Sequence, residues 1–294
     1  MKLLKQFIPQ SLKSKILTSR LWNKRWATML ASSSKRLDLC AAQFAHILHL
    51  SENPPLRDKV CLEVGSGWVL THAIICHLLG AKRVIATDIT PLVYPPCLSK
   101  AVKQSIPYII QDILSPFLDH SEIRARLDNL LSIKRFNLDT LKKLKIEYIA
   151  PLDLAQERTR IPVDFIYSFS VLEHACIDTI QSLLNNIVID LKSGGTMIHC
   201  IHLEDHKDIQ NHPFDFLSEP HSSYTPALQH NRGNRIRRSQ WYHIFNNLEN
   251  IQCEFIYEWI RRDKTLPAHI DPSIIYEDED DLKISHIGVY GIKE

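Results

Sequence analysis

One stretch decides the fold of this chain: Val60-Cys61-Leu62-Glu63-Val64-Gly65-Ser66-Gly67-Trp68-Val69-Leu70. An apolar run ends in an acid and two glycines one residue apart, and a helix-like pattern follows, which predicts a strand, a tight turn and a helix. Gly65 and Gly67 let the backbone approach a ligand where a Cβ would collide, and Glu63 puts a carboxylate at the end of the strand. The pattern is typical of a nucleotide-binding turn.

Outward from this turn, the chain alternates strands and helices. Residues 70–79 predict a helix that ends at Gly80, and residues 83–88 predict a buried second strand that ends in an acid, so the three form a right-handed βαβ unit. Five further strands are predicted at 145–150, 163–168, 196–203, 252–260 and 282–292. We therefore expect an α/β fold, with a doubly wound, mostly parallel seven-stranded sheet and helices on both faces.

Two helical additions are predicted around this sheet. Residues 1–53 form an N-terminal helical cap, and residues 90–144 form a helical insertion between strands 2 and 3 that covers the ligand site. Residues 1–37 are basic and free of acids, and their apolar residues are spaced like one helical face. Three interpretations stay open: a helix packed over the domain, a helix in weak contact with a membrane surface, or an organelle presequence. We favour packing, because the pattern continues into a second helix at 34–50 without a cleavage site.

The composition is that of an ordinary globular protein. The chain has 294 residues, of which 45% are hydrophobic and 23% charged, and no apolar run is long enough to cross a bilayer. The net charge of +2 is too small to indicate a nucleic-acid partner by itself. The seven cysteines form no CxxC pair and mostly lie in apolar patterns, which predicts reduced thiols and a cytoplasmic protein.

The spacing of the acids first suggests a dinucleotide-binding domain, because Asp88 lies 25 positions after Glu63. The dinucleotide fingerprint needs a third glycine at position 70, where this chain has Leu70, which would push the helix away from the sheet. A pyrophosphate also requires helix amides that no carboxylate opposes. Glu63 supplies that carboxylate, so the turn favours a ligand with positive charge.

At this point the residues resemble a family. Residues 60–70 resemble the first motif of class I (Rossmann-like) S-adenosylmethionine-dependent methyltransferases, E/D-x-G-x-G-x-G, and residues 164–174 are similar to a fourth-strand pattern common in these enzymes. The resemblance covers residues 58–203, and residues 234–237 are similar to a stretch in bacterial small-molecule and sugar-modifying members. The third glycine of the motif is replaced by Val69, preceded by Trp68.

The resemblance implies S-adenosyl-L-methionine as the cofactor and a methyltransferase domain at 54–294. It implies that the glycine turn takes the methionine part of the cofactor and that Asp88 binds the ribose hydroxyls. It further implies that Asp153 and the backbone of Leu154 hold the adenine, and that Ser168 faces the cofactor near the methyl group. The expected cofactor residues are Glu63, Gly65, Gly67, Asp88, Asp153, Leu154 and Ser168.

Two histidines are candidate catalytic bases. His174 follows the fourth strand and His206 follows the fifth, and histidine titrates near neutral pH. The alternatives are that Glu173 and His174 orient the following helix, and that His206 belongs to a solvated loop. A metal site is disfavoured and none is expected, because the histidines at 199, 202, 206 and 212 show no HExxH order and 199–203 predicts a strand.

The sequence therefore predicts an enzyme that transfers a methyl group from S-adenosylmethionine to an oxygen or nitrogen of a small-molecule acceptor. The acceptor would lie between the N-terminal helices, the insertion and an acceptor-side loop at 204–234. A basic stretch that contains an aromatic residue is formed by arginines at 232, 235, 237 and 238 with Trp241. Its arginines are expected to contact an acidic group of the substrate or to form plain surface charge before a helix. Two alternatives stay open: a non-catalytic methyltransferase-like binding or scaffold protein, because of Val69, and an NAD-dependent oxidoreductase, which Leu70 disfavours. No oligomeric state is predicted.

Overall fold

A seven-stranded sheet forms the centre of the computed structural model, which describes residues 20–32, 35–52 and 54–294. The strands are β1 Val60–Val64, β2 Arg83–Thr87, β3 Ile146–Ile149, β4 Val163–Phe169, β5 Leu191–His202, β6 Ile251–Ile260 and β7 Ile284–Lys293. The helices are α1 Arg20–Ser32, α2 Arg36–Leu50, α3 Thr71–Leu78, α4 Leu98–Lys103, α5 Pro107–Leu114, α6 His120–Ser132, α7 Leu138–Lys143, α8 Ile180–Asp190, α9 Pro226–Arg232, α10 Arg238–Asn246 and α11 Glu279–Lys283.

The strand order across the sheet is β3-β2-β1-β4-β5-β7-β6. The first five strands run parallel, whereas β7 is antiparallel to both of its neighbours, β5 and β6. The prediction of an α/β fold with a mostly parallel seven-stranded sheet is therefore confirmed. The order reverses direction at β1 and β4, so the carboxyl ends of these two strands flank the crevice where open α/β sheets bind ligands.

One face of the sheet is covered by α2 and α3. Phe44 of α2 is fully buried, and its ring centroid lies 5.3 Å from that of Tyr167 and 6.3 Å from that of Phe165, both on β4. Burial of a phenylalanine side chain contributes about 1.5–3 kcal/mol. Helix α2 therefore shares one hydrophobic core with the sheet and is an integral layer of the domain.

The opposite face is covered by α8 and α10. Leu184 of α8 and Trp241 and Phe245 of α10 are buried in a second core with Ile166 of β4. Residues 150–162, all of them described, connect β3 to β4 without a helix. The layer on this face is therefore thinner beside β3.

The predicted insertion between β2 and β3 consists of helices α4 to α7. Helix α5 packs against α2, and α6 packs against α3 and α5, so the insertion forms an outer layer over the first face. Its first residues reach the glycine turn, where the Tyr94 amide donates to the carbonyl of Trp68 at 3.2 Å.

Strand β5 begins five residues earlier than predicted. Leu191 pairs with Val163, but the next pair is Thr196 with Phe165, so residues 192–195 form an irregular excursion within the strand pairing. Gly194 and Gly195 lie in that excursion and do not end helix α8, which already stops at Asp190.

No helix within the described parts of the chain is long and apolar enough to span a membrane. The weak membrane-surface contact predicted for the basic N-terminal segment concerns residues 1–37, of which residues 1–19 and 33–34 lie outside the described residues.

Candidate functional site

The glycine turn joins β1 to α3 at the carboxyl end of the sheet. Gly65 and Gly67 have φ values of 69° and 62°, in the left-handed region that favours glycine. The amide of Ser66 donates to the carbonyl of Thr87 at 2.9 Å, which ties the turn to the end of β2. The predicted turn is therefore present and is held against the neighbouring strand.

The two glycines differ in their surroundings. A Cβ on Gly65 would lie 2.4 Å from Cγ1 of Val171, a residue that follows β4. A Cβ on Gly67 would meet no described atom within 4 Å. Gly65 thus allows close packing inside the protein, whereas Gly67 faces open space that a ligand can enter.

We expect Gly65→Ala to lower the free energy of unfolding by about 2–3 kcal/mol, because it adds overpacking against Val171 to the cost of a left-handed alanine. Gly67→Ala serves as the matched control. Its free energy of unfolding should fall by only about 1 kcal/mol, the cost of placing an alanine in the left-handed region. Urea unfolding of the two variants measures the difference. Equal losses would contradict the assignment of Gly65 to internal packing.

Asp88 lies at the end of β2 with its carboxylate against the turn. Oδ2 accepts from the amide of Gly67 at 2.9 Å and Oδ1 from the amide of Thr90 at 3.0 Å. The side chain is buried, which raises its pKa, while these two amides and the nearby His230 lower it. Asp88 is therefore fixed beside Gly67, with lone pairs left on both oxygens for a hydroxyl donor.

Glu63 is a buried carboxyl group beneath the turn. Its Oε2 has no hydrogen-bond partner among the described residues, and its Oε1 lies 3.9 Å from Nδ1 of His72. Burial, and then the charge of Asp88, raises the pKa of Glu63 to about 8. Burial lowers the pKa of His72 to about 3, so the histidine is neutral and does not serve as a counter-ion at neutral pH. An unpaired carboxyl in this position suits a cationic ligand.

The residues after Gly67 explain the missing third glycine. Val69 is 4% exposed and its side chain belongs to the core of the first face, so it does not line the turn. Leu70 adopts a left-handed φ of 57° and caps α3. Trp68 is half-buried, its ring centroid lies 6.4 Å from that of Trp26 on α1, and its indole nitrogen has no hydrogen-bond partner within the described chain.

Asp153 and Leu154 lie in the connection after β3. The Asp153 carboxylate accepts from the amide of Ala155 at 3.0 Å and from the side-chain amide of Gln156 at 2.9 Å. These hydrogen bonds stabilise the turn that begins at Asp153. The amide of Leu152 donates to the carbonyl of Asp88 at 2.9 Å, which places this connection beside the end of β2.

Ser168 is oriented away from the position that the resemblance implies. It is fully buried, and its hydroxyl is hydrogen-bonded to Nδ1 of His199 on β5 at 2.8 Å. Because side chains alternate along a strand, Ser168 shares the face of its neighbour Ile166, under α10. Its backbone, not its hydroxyl, is what remains near the carboxyl end of β4.

His174 and His206 do come together, past the ends of β4 and β5. Their ring centroids lie 4.7 Å apart, and Nε2 of His206 is 3.9 Å from Oε1 of Glu173. Burial lowers the pKa of both histidines, that of His174 to about 3. Glu173 is 1% exposed, and burial raises its pKa to about 8. The three groups form one polar cluster, in which Glu173 is buried and both histidines are half-buried, and its imidazoles are neutral at neutral pH.

The expectation for the arginine stretch is wrong for Arg232 and Arg237. Arg232 makes a bidentate pair with Asp205, whose side chain is 2% exposed, and a further bond to Glu219. Arg237 is fully buried and donates to the carbonyl of Leu203 at 2.7 Å. These guanidinium groups are internal structural groups, because the loop 204–234 folds back on them. Asp205 therefore pairs inside the protein.

Several groups of the site were missed from the sequence. His72 was not singled out although it follows the turn by five residues, and Val171 was not connected to Gly65. The order of the elements indicates both residues, because α3 starts at the turn and the segment after β4 must pass beside β1. The described groups form two sites. Glu63, Gly67 and Asp88 form a cradle at the ends of β1 and β2, and Glu173, His174 and His206 form a histidine cluster past the ends of β4 and β5.

The fold and the site define a doubly wound α/β protein with a nucleotide-type turn. The sequence matches no protein-family model and no curated protein. Among solved structures, it is similar to magnesium protoporphyrin IX methyltransferase from Synechocystis with bound SAH, at 11% identity and a TM-score of 0.49, over 97% of this chain and 99% of that one. It is also similar to an S-adenosylmethionine-dependent methyltransferase from Mesorhizobium loti, at 14% identity and a TM-score of 0.47, over 86% of this chain and 98% of that one.

Proposed function

We propose that this protein transfers a methyl group from S-adenosylmethionine to an oxygen or nitrogen of a small-molecule acceptor. The observation that carries the proposal is the unpaired, buried carboxyl of Glu63 beneath a turn that is open above Gly67. A cationic ligand supplies the partner that this carboxyl lacks. A pyrophosphate would instead bring negative charge next to both Glu63 and Asp88.

Each residue of the cradle would bind a different part of the cofactor. Glu63 would attract the positively charged methionine end, and Gly67 would allow the close approach of that ligand to the backbone. Asp88 would accept hydrogen bonds from the ribose hydroxyls with the lone pairs that its two amide partners leave free. Asp153 and Leu154, beside the end of β2, would contact the adenine.

The cofactor supplies an activated methyl group, so the protein mainly has to orient the acceptor and accept its proton. His174 and His206 lie past the ends of neighbouring parallel strands. Being neutral, each is able to accept a proton from a hydroxyl or an amine. We propose these two imidazoles as the groups that contact the acceptor.

The direct test is calorimetric titration of the purified protein with S-adenosylmethionine, S-adenosylhomocysteine and NAD, followed by a screen of small hydroxyl and amine compounds for release of S-adenosylhomocysteine. We expect both adenosyl compounds to bind and NAD not to bind. Binding of NAD alone would overturn the proposed function, and adenosyl binding without turnover on any acceptor would favour the non-catalytic alternative.

Asp88→Ala is expected to weaken S-adenosylmethionine binding by about 1.5–3 kcal/mol, or roughly 10- to 150-fold, because it removes charged hydrogen bonds to the ribose. Glu147→Gln is the control, since Glu147 pairs with Arg83 at a partly exposed position of β3. It should leave the affinity within about twofold. An unchanged affinity in Asp88→Ala would remove Asp88 from the site.

A further inference from the structure

Three side chains converge where β4 and β5 end. Glu173 and His174 lie in a 3-10 turn, Leu172–His174, directly after β4, and His206 lies in the loop after β5. One potential ligand atom from each of them lies within 4.8 Å of the other two, and Nε2 of His206 is 3.9 Å from Oε1 of Glu173. Donors at about 2.1 Å from a tetrahedral ion are about 3.4 Å apart. Small side-chain rotations therefore suffice to bring all three onto one ion.

The groups that converge are unsatisfied. Glu173 is 1% exposed, and neither of its carboxylate oxygens makes a well-formed hydrogen bond in the part of the chain that the structure describes. Nδ1 of His174 is also buried without a partner there. Burial raises the pKa of Glu173, and the amides of Glu173 and His202 and the Ser170 hydroxyl only approach its carboxylate closely enough to lower that pKa in part. A buried polar group left without a partner costs about 1–3 kcal/mol, and more for a charged one. A cation at the centre of the cluster would satisfy both groups at once.

The backbone that carries these ligands is fixed by other residues. The backbone amide of Asn234 donates to the carbonyl of Glu173 at 2.7 Å, and its side chain donates to the carbonyls of Leu172 and Ala175. On the other side, the amide of His206 donates to the carbonyl of Arg232 at 3.2 Å. Metal sites depend on this kind of outer support to hold their ligands in place.

We propose that Glu173, His174 and His206 bind one divalent transition-metal ion of the zinc type. Two imidazoles and one carboxylate are a ligand set that zinc and iron take in open sites, and such a set leaves coordination positions for water or a small oxygen ligand. This proposal departs from the expectation of no metal. The expectation of no metal was based on histidines of one strand and the loop that follows it, whereas these ligands come from the segments that follow two neighbouring strands.

Two more histidines surround the cluster without joining it. The ring of His202 lies 5.1 Å from that of His206, and the ring of His230 lies 5.9 Å from that of His174. The cluster also borders the glycine turn, because Val171, two residues before Glu173, packs against Gly65. An ion here would sit beside the cradle and would occupy the lone pairs with which the two imidazoles are otherwise proposed to accept a proton. Its binding does not rest on the proposed function.

The test measures metal retention by the full chain. Protein treated with a chelator is incubated with Zn²⁺, Mn²⁺ or Mg²⁺, desalted, and analysed by elemental mass spectrometry, and a chromophoric chelator in competition gives the zinc affinity. We expect about one zinc per chain, weaker retention of manganese and none of magnesium, which prefers oxygen ligands. Zinc should also raise the melting temperature of the wild-type chain.

Two ligand variants and one control decide the outcome. Glu173→Gln and His206→Asn should each weaken zinc binding by at least about 10- to 100-fold and lose the zinc-dependent rise in melting temperature. His212→Asn should behave as wild type, because His212 lies in the same loop but pairs with Asp215 at the surface. All variants keep the seven cysteines, so zinc bound by thiols cancels in the comparison. Equal zinc affinity in wild type and in both folded ligand variants would overturn the proposal.

Discussion

Arg232→Ala is expected to lower the free energy of unfolding by about 3–5 kcal/mol, because it leaves a buried carboxylate without its counter-ion. Asp205 is 1% exposed, and Arg232 holds both of its oxygens. The carbonyl of Arg232 also accepts the amide of His206, so the pair fixes the loop that carries this histidine to the end of α9. The loss should therefore be accompanied by weaker ordering of His206.

Chemical denaturation measured for matched variants tests this expectation. Arg262→Ala is the control, because Arg262 pairs with Asp280 at the surface, where 72% of the arginine side chain is exposed. It should lose less than about 1 kcal/mol. The double variant Arg232→Met with Asp205→Asn should recover part of the loss, since it removes both charges together. Similar losses in Arg232→Ala and Arg262→Ala would show that the buried pair is energetically equivalent to an exposed one.

Glu63→Gln is expected to become progressively more stabilising as the pH rises from about 5.5 to 7.5, by up to about 1.4 kcal/mol per pH unit relative to the wild type. The pKa of Glu63 is raised to about 8 in the folded chain, from an ordinary value of 4.5. Between these values the unfolded chain has lost the proton and the folded chain still binds it, so wild-type stability falls as the pH rises. Glutamine resembles the protonated carboxyl and removes this dependence.

The groups around Glu63 are consistent with a wild-type stability that falls as the pH rises. Asp88 faces it with a like charge, and His72 is neutral, so neither stabilises a carboxylate. Burial is the largest cause of the raised pKa of Glu63, and the buried Tyr167 hydroxyl opposes that rise, but as the smallest of the three causes. Tyr167 and the Cys76 thiol have raised pKa values themselves and stay uncharged. Denaturation curves of the wild type and the variant at several pH values give the difference between their free energies of unfolding. The contributions of the other titrating groups cancel in this difference. A difference that does not change with pH would refute the raised pKa of Glu63.

The same proton links Glu63 to its ligand. A cation that contacts the carboxylate should bind more tightly as the pH rises toward 8 and should release a proton on binding. Calorimetry in two buffers of different ionisation enthalpy detects that proton. Glu63→Gln should abolish both effects.

The parts of the structure that sequence could predict are those specified by local signals. The run from Val60 to Gly67 determines a strand and its turn within eight residues, because left-handed glycines and an apolar run act locally. Asp88 could likewise be placed, since a βαβ unit brings the ends of β1 and β2 together. The sheet and the cradle at the ends of β1 and β2 follow from such short-range patterns.

The remaining features depend on contacts between residues that are distant in sequence. Arg232 looks like a surface cation until Asp205, 27 residues earlier, folds onto it. The hydroxyl of Ser168 turns toward His199, 31 residues later, because the register of β4 on β5 sets its face. The convergence of Glu173 with His206 depends on the same pairing of strands, and no spacing within one segment indicates it.

The contact between Trp68 and Trp26 makes the glycine turn optically observable. Trp68 follows Gly67 directly, and its ring lies 6.4 Å from that of Trp26, close enough for the two indoles to exchange excitation energy. A ligand that enters above Gly67 changes the surroundings of one member of the pair, and a movement of α1 changes the other. The emission that this pair adds to that of the other three tryptophans therefore reports occupancy of the turn and the position of the first described helix, without any added label.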